Sequence, residues 1–211
     1  MRIISLNVGM PRLVDWQGAE VFTGIFKEPV ATPLALGFTN FVGDGQGDLT
    51  VHGGVSKAVY AYPAEYYEAW RARLGRELPL GIFGENLTTE GLFEDDVCIG
   101  DEFLCGTAVL VARQPRLPCF KLGLRFNDVS MVKTFVDVGK PGIYFSVKQE
   151  GIVGPGDSMT CIHRDEHRLS VTQLFQMIID KETSHDALRK AIEVPALTDN
   201  WRTSFHKRLE E

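Results

Sequence analysis

Along residues 1–164, apolar positions come in short runs separated by turn residues: RIISLNV, EVFTGIF, KAVYAYP, ENLTTEG, DEFLCG, TAVLVARQ, GIYFSVKQEG and DSMTCIH. Short runs rich in β-branched and aromatic residues predict strands, and their regular spacing predicts an all-β barrel or sandwich. Breaks such as VGDGQGD and VGPGD carry the glycines that tight turns with positive φ require. Two segments change period. PAEYYEAWRARLG has Pro63 placed for a first helical turn, Tyr66, Tyr67, Trp70 and Leu74 on one face, and Gly75 as a stop. DVSMVKTFVDVG predicts a second helix, capped by Asp128, striped by Met131, Val132 and Phe135, and ended by Gly139.

From residue 165 onward glycine is absent and helix signals take over. Ser170 and Gln173 form a capping box, with Leu169 and Leu174 spaced as a hydrophobic staple. Ser184 is placed to cap DALRKAIEV, which ends before Pro195. Thr198 is placed to cap DNWRTSFHKRLEE, where Trp201, Phe205 and Leu209 repeat every four residues. Helices this short are marginal alone and must pack on each other or on the sheet. The expected architecture is therefore mostly β over residues 1–164, followed by a small three-helix appendage over 165–211.

Composition narrows the function classes. The chain has 211 residues, 44% hydrophobic and 24% charged, the mix of a soluble globular protein. Its formal net charge of −6 argues against nucleic acid and anionic membrane as partners. The N-terminal MRIISLNVGMPRLVDW is too short an apolar run, broken at Asn7 and Gly9, for a signal peptide, so a cytoplasmic location is expected. Cysteines stand at 98, 105, 119 and 161 without C-x-x-C spacing, which speaks against a zinc or thioredoxin-type site. Cys98, Cys105 and Cys161 lie in strand-like runs and read as small buried hydrophobes.

Cys119 is different. It sits in QPRLPCFKL, framed by Pro115 and Pro118 and by the cations Arg116 and Lys121, with Arg113 nearby. Nearby cations favour the thiolate, the reactive and metal-binding form. A stiff loop holds the sulfur for metal ligation or nucleophilic attack; a loop cysteine without a role is the plainer reading. In GDLTVHGGVSKAVYAYP, the turn bearing His52, Gly53, Gly54, Ser56 and Lys57 suits an anion such as phosphate, because paired glycines expose N–H groups and the lysine adds charge. The same residues also describe an ordinary glycine-rich hairpin. In FGENLTTEGL, Asn86 can read a polar heterocycle and Glu85 can hold a donor, or both can close a β-turn. HRDEH, residues 163–167, lacks the H-E-x-x-H pattern of a zinc helix, and no G-x-S-x-G elbow is present.

Taken in order, VHGGVSKAVYAYP, GENLTTEGL, EDDVCIGDEF, QPRLPCFKL and EGIVGPGD resemble the MOSC domain, named for the C-terminal region of molybdenum cofactor sulfurase. The likeness runs from residue 1 to about 163 and is nearest the stand-alone bacterial YiiM type, whose members carry a three-helix appendage. The resemblance implies a mostly antiparallel MOSC-type β-barrel that binds the molybdenum cofactor (molybdopterin), with Cys119 as molybdenum ligand and catalytic centre. It implies a cofactor cradle from His52, Gly53, Gly54 and Lys57, with Asn86 and Arg116 at the pterin or at the metal's oxygen ligands. It further implies reduction of N-hydroxylated compounds, such as 6-N-hydroxylaminopurine, to amines. Electrons then come from a separate flavin-containing reductase, since the chain carries no flavin or nicotinamide fingerprint. Arg113 departs from the family, which more often has a small residue there. Two other readings use the same cysteine or the same cleft: a sulfur carrier holding a Cys119 persulfide, and a non-enzymatic carrier of the cofactor. The oligomeric state is left open.

Overall fold

The computed structural model describes residues 1–47 and 53–210. Among them the chain order is β1 (Arg2–Val8), β2 (Arg12–Trp16), β3 (Ala19–Thr23), β4 (Glu28–Val30), β5 (Leu34–Leu36), a 3-10 turn (Val55–Lys57), β6 (Val59–Pro63) and α1 (Tyr66–Leu74). There follow β7 (Leu87–Glu90), β8 (Glu102–Cys105), β9 (Ala108–Pro115), α2 (Phe120–Phe126), α3 (Met131–Val138), β10 (Ile143–Gln149), β11 (Gly151–Val153) and β12 (Met159–His163). The chain closes with α4 (Val171–Ile179), α5 (His185–Glu193) and α6 (Asp199–Glu210).

Eight strands form one sheet in the order β12-β8-β9-β10-β6-β7-β1-β4, with small pairs β11–β5 and β2–β3 beside it. All pairings are antiparallel except β6–β7, which is parallel. Among the described residues the sheet does not close fully into the expected barrel. The sheet curls until the start of β1 meets the run into β12, but a single bridge, Arg2 to Ser158, and backbone bonds such as Ile3 N–H to the Asp157 carbonyl (2.9 Å) take the place of a ladder. Beyond β1, β4 covers the other edge, so the sheet remains open.

The helix signals held where a cap and a stripe coincide. Gly75 and Gly139 end α1 and α3 in the left-handed conformation that glycine adopts without a Cβ penalty. Ser170 and Gln173 make the reciprocal capping box of α4, and the Ser184 side chain accepts from the Ala187 N–H at the start of α5. Pro63 belongs to β6 instead of a helical turn. Before α3, Asp128 accepts from the Ser130 N–H at 2.9 Å. Thr198 does not cap α6 with its side chain; its hydroxyl donates to Gln114 Oε1 at 3.3 Å.

Two apolar clusters organise the packing. The first joins the inner face of the sheet (Leu6, Leu110, Phe145) to Leu174, Leu188 and Phe205 of the last three helices, so the helices complete a core they share with the sheet. The second is aromatic and centres on Phe83, whose ring lies 4.6 Å from Tyr62, 5.3 Å from Phe126 and 5.4 Å from Trp70. After Phe83 the chain turns through Gly84 at φ 79°, where an added Cβ would meet Ile25 Cγ1 at 2.9 Å. Glu85 follows, fully buried. Its Oε1 accepts from the Tyr67 hydroxyl, from the Gly81 N–H at 2.8 Å and from the Thr88 hydroxyl at 2.9 Å, while Oε2 finds no partner among the described residues. Burial raises the Glu85 carboxyl above its ordinary value, against the lowering effect of those donors.

Two predictions follow from this packing. Phe205→Ala should cost about 3–5 kcal/mol, and helices and sheet should still unfold in one calorimetric transition because they share a core; separate transitions would contradict the shared core. For Glu85 the raised value makes stability greatest while both folded and unfolded chains hold the proton. As pH rises past 4.5, the ordinary value, the unfolded chain releases its proton first and stability falls. Urea midpoints of wild type should therefore decline relative to Glu85→Gln as pH is raised above 4.5. Parallel curves would show that Glu85 titrates normally.

Candidate functional site

The parallel β6–β7 pair decides where the site lies. Both strands start at the same end of the sheet, so Lys57, just before β6, and Asn86, just before β7, are brought together. β10 runs antiparallel beside β6 and β9, which sets Tyr144 opposite both Tyr60 and Gln114. The C-terminal end of β9 then delivers Arg116 and Cys119 to the same place. The result is a cleft of about 700 Å³, counted to its open mouth, whose walls include Lys27, Asp44, Lys57, Asn86, Arg116 and Cys119.

Cys119 is the residue that precedes α2, with extended backbone (φ −124°, ψ 176°), and its carbonyl accepts from the Leu122 N–H at 2.9 Å. It is half-buried and acts electrostatically on Lys57, Arg116 and Tyr144. Arg116 is 6% exposed. Its guanidinium donates to the Phe83 carbonyl and stacks over Tyr60 at 4.9 Å and Phe135 at 5.7 Å. Burial works against its charge, but a guanidinium stays protonated, and the Tyr60 and Tyr144 hydroxyls and Cys119 face it. Lys57 is lowered by burial and partly restored by Cys119.

Of the residues singled out from sequence, Lys57, Asn86, Arg116, Cys119 and Lys121 line one cleft. His52 lies outside the described residues. Gly54, at φ 92° with open space where a Cβ would project, donates its N–H to Gln46 Oε1 at 2.8 Å; Gly53 precedes it, half-buried. Arg113 is not among the cleft-lining residues; the charges acting on it are Asp199 and Arg202 of α6. Asn86 is already committed to the protein. Its side-chain oxygen accepts from the Tyr60 N–H at 3.1 Å, and its amide donates to Asp44 Oδ2 at 2.8 Å and the Asn7 carbonyl at 3.3 Å. Cys98 and Cys105 are buried, burial pushing the Cys105 thiol up to about 12, whereas Cys161 is only half-buried and donates to the His163 carbonyl. In HRDEH, His167 pairs with Asp165 at 3.0 Å, and no metal-binding group of three or more His, Cys, Asp or Glu occurs among the described residues.

Sequence reasoning missed Lys27, Asp44 and Tyr144. Asp44 sits in VGDGQGD, where the glycines drew attention to the turn and away from the carboxylate between them. Those glycines do structural service: a Cβ on Gly24 would meet the Gly45 carbonyl oxygen at 2.6 Å, so two chain segments touch backbone to backbone along the wall. Lys27 is 7% exposed and bonds Asp44. Nothing in GIFKEPV marks that lysine as buried. Tyr144 was visible only as a strand residue.

Residues 48–160 match the MOSC domain, and residues 169–211 match the YiiM-like, 3-alpha helix domain. Uncharacterized protein YflK of Bacillus subtilis is 41% identical over 208 residues, covering 99% of this chain and 94% of that one. The crystal structure of YiiM from Geobacillus stearothermophilus matches with a TM-score of 0.84 at 37% identity, covering 99% of this chain and 98% of that one. A protein named Reductase from Gibberella moniliformis is 32% identical over 91% of this chain, which spans 35% of that protein. Among the described residues no helix is long and apolar enough to cross a membrane. The architecture, the two successive matches and these relatives agree: the chain belongs to the MOSC domain family, in its YiiM-like branch.

Proposed function

We propose that the chain is a molybdenum-cofactor-dependent reductase of N-hydroxylated compounds, 6-N-hydroxylaminopurine and other hydroxylamines among them, fed by a separate flavin-containing reductase. The observation that carries the reading is the convergence of one thiol, Cys119, with the cations Lys57, Arg116 and Lys121 in a single open cleft. The donor set fits the group. A soft thiolate suits a metal already in sulfur coordination. Several cations suit an anionic, phosphate-bearing pterin. The name of the fungal relative is consistent with redox chemistry.

When bound, the cofactor supplies two-electron chemistry at molybdenum. The protein's residues do the rest. Cys119 is assigned as metal ligand and catalytic centre. Lys57, with Gly53 and His52, is assigned to the phosphate end, while the Gly54 N–H is already held by Gln46. Arg116 is a fixed charge: its contacts with Phe83, Tyr60 and Phe135 hold it before any ligand arrives, which lowers the entropy cost of binding. Asn86 positions the cleft walls and has no spare amide hydrogen for a ligand.

Elemental analysis of protein from a cofactor-competent host should find near-stoichiometric molybdenum in wild type and its loss in Cys119→Ser. The loaded wild type should reduce N-hydroxylated substrates when given a flavin-containing donor. Absence of molybdenum together with a persulfide mass on Cys119 would replace this reading with sulfur transfer. Retained molybdenum without turnover would leave a cofactor carrier. Lys57→Met should weaken cofactor retention roughly tenfold or more, the worth of one charge-assisted hydrogen bond, checked by molybdenum remaining after dialysis.

A further inference from the structure

Lys27 and Asp44 form an ion pair inside the cleft wall, their side chains 8% and 3% exposed. Burying two opposite charges is poor economy for stability, since desolvation offsets most of their attraction and an apolar pair of similar volume serves the core as well. Asp44 is nevertheless held firmly. Its Oδ1 also accepts from the Gly9 N–H at 2.9 Å, and its Oδ2 accepts from Asn86 at 2.8 Å. Asp44 is thus tied to the end of β1 and to the turn before β7. Its lysine partner carries three N–H groups, of which one is engaged by Asp44.

We propose that Lys27 delivers a proton to the oxygen leaving the substrate, with Asp44 as the residue that positions its ammonium. This rests on the reductase reading above. The overall change is R–NH–OH + 2 e⁻ + 2 H⁺ → R–NH₂ + H₂O. The N–O bond breaks. The oxygen departs as water with its own hydrogen and one proton from Lys27. The nitrogen takes up the electron pair, which originates in the flavin-containing donor, and a second proton from solvent. The neutral Lys27 amine regains its proton from solvent through the open mouth. Hydroxide is a poor leaving group, so proton delivery at this atom removes a large part of the barrier.

Burial lowers the Lys27 pKa, and Asp44 restores only part of the loss, which makes the ammonium a better acid than a surface lysine. The other titratable groups facing the cleft are Lys57 and Tyr60 before and within β6, Arg116, Cys119 and Lys121 after β9, and Tyr144 on β10. The charge that acts on Lys27 is that of Asp44, its partner in the pair. Lys27 works in its charged form, so turnover falls as pH rises through its folded pKa.

The test compares wild type with Lys27→Arg, which keeps the positive charge and the Asp44 partner but does not release a proton near neutrality. The variant should fold, hold the same molybdenum per chain, lose about 100-fold or more in kcat, and lose the alkaline limb of the pH profile. Independently of turnover, NMR titration of the Lys27 Cε and Nζ signals in cofactor-free wild type should give a midpoint below the ordinary lysine value of about 10.4. If the variant misfolds, an ordinary midpoint in that titration still overturns the proposal. An ordinary midpoint, or a Lys27→Arg enzyme with wild-type kcat and alkaline limb, overturns the proposal while leaving the reductase reading intact. A molybdenum-loaded wild type that reduces no N-hydroxylated substrate overturns both.

Discussion

The cleft depends on one carboxamide. Asn86 accepts the Tyr60 N–H near the start of β6, and it donates to Asn7 at the end of β1 and to Asp44 in the opposite loop. Three segments far apart in sequence are thereby fixed to a fourth. A buried amide that loses a partner pays the desolvation cost of the orphaned group, about 1–3 kcal/mol, so each bond guards the other two. The parallel pairing of β6 with β7 makes this meeting unavoidable, because it forces both strand starts to one end of the sheet.

Around that knot the protein keeps charge in place by two different means. Arg116 is held by rings and a carbonyl, with the aromatic cluster on Phe83 behind it, so its position follows from packing. Lys27 is held by a carboxylate, so its position follows from pairing. The first kind of charge is always present. The second is adjustable, since burial and the partner pull its proton affinity in opposite directions. One cleft therefore offers a permanent cation and a negotiable one.

Much of this was legible from the chain. Strand runs with clear turn punctuation became β1, β3, β6, β7, β8, β9, β10 and β12, and the helices with caps formed where expected. Short strands escaped. β4, β5 and β11 have three residues each, too few for a period to show. β2, which pairs with β3, also escaped, although the turn between them passes through positive φ at Gln17 and at Gly18, a glycine placed where a two-residue hairpin turn needs one. α2 was hidden because FKLGLRF has a glycine in the middle and no polar cap in front. In the site, Cys119, Arg116 and Lys57 could be named because their types are unusual in their settings. Asp44 and Lys27 could not, because their significance is burial and pairing, and neither is local. The closure of the sheet is likewise non-local: whether the last strand reaches the first depends on curvature that no single run encodes.

Gln114 carries a consequence for how such chains can be recombined. Its side-chain oxygen takes hydrogen bonds from Thr198 and from the Trp201 indole at 3.0 Å, two residues before Arg116. The helical appendage is thus a strut braced against the strand that presents the cysteine. A graft that exchanges the helices for those of another family member, without a hydroxyl and an indole at these two points, strands a buried oxygen at the root of the cleft. The seam between sheet and helices looks like a natural crossover point along the chain, yet in three dimensions the two parts are bonded across it at Gln114.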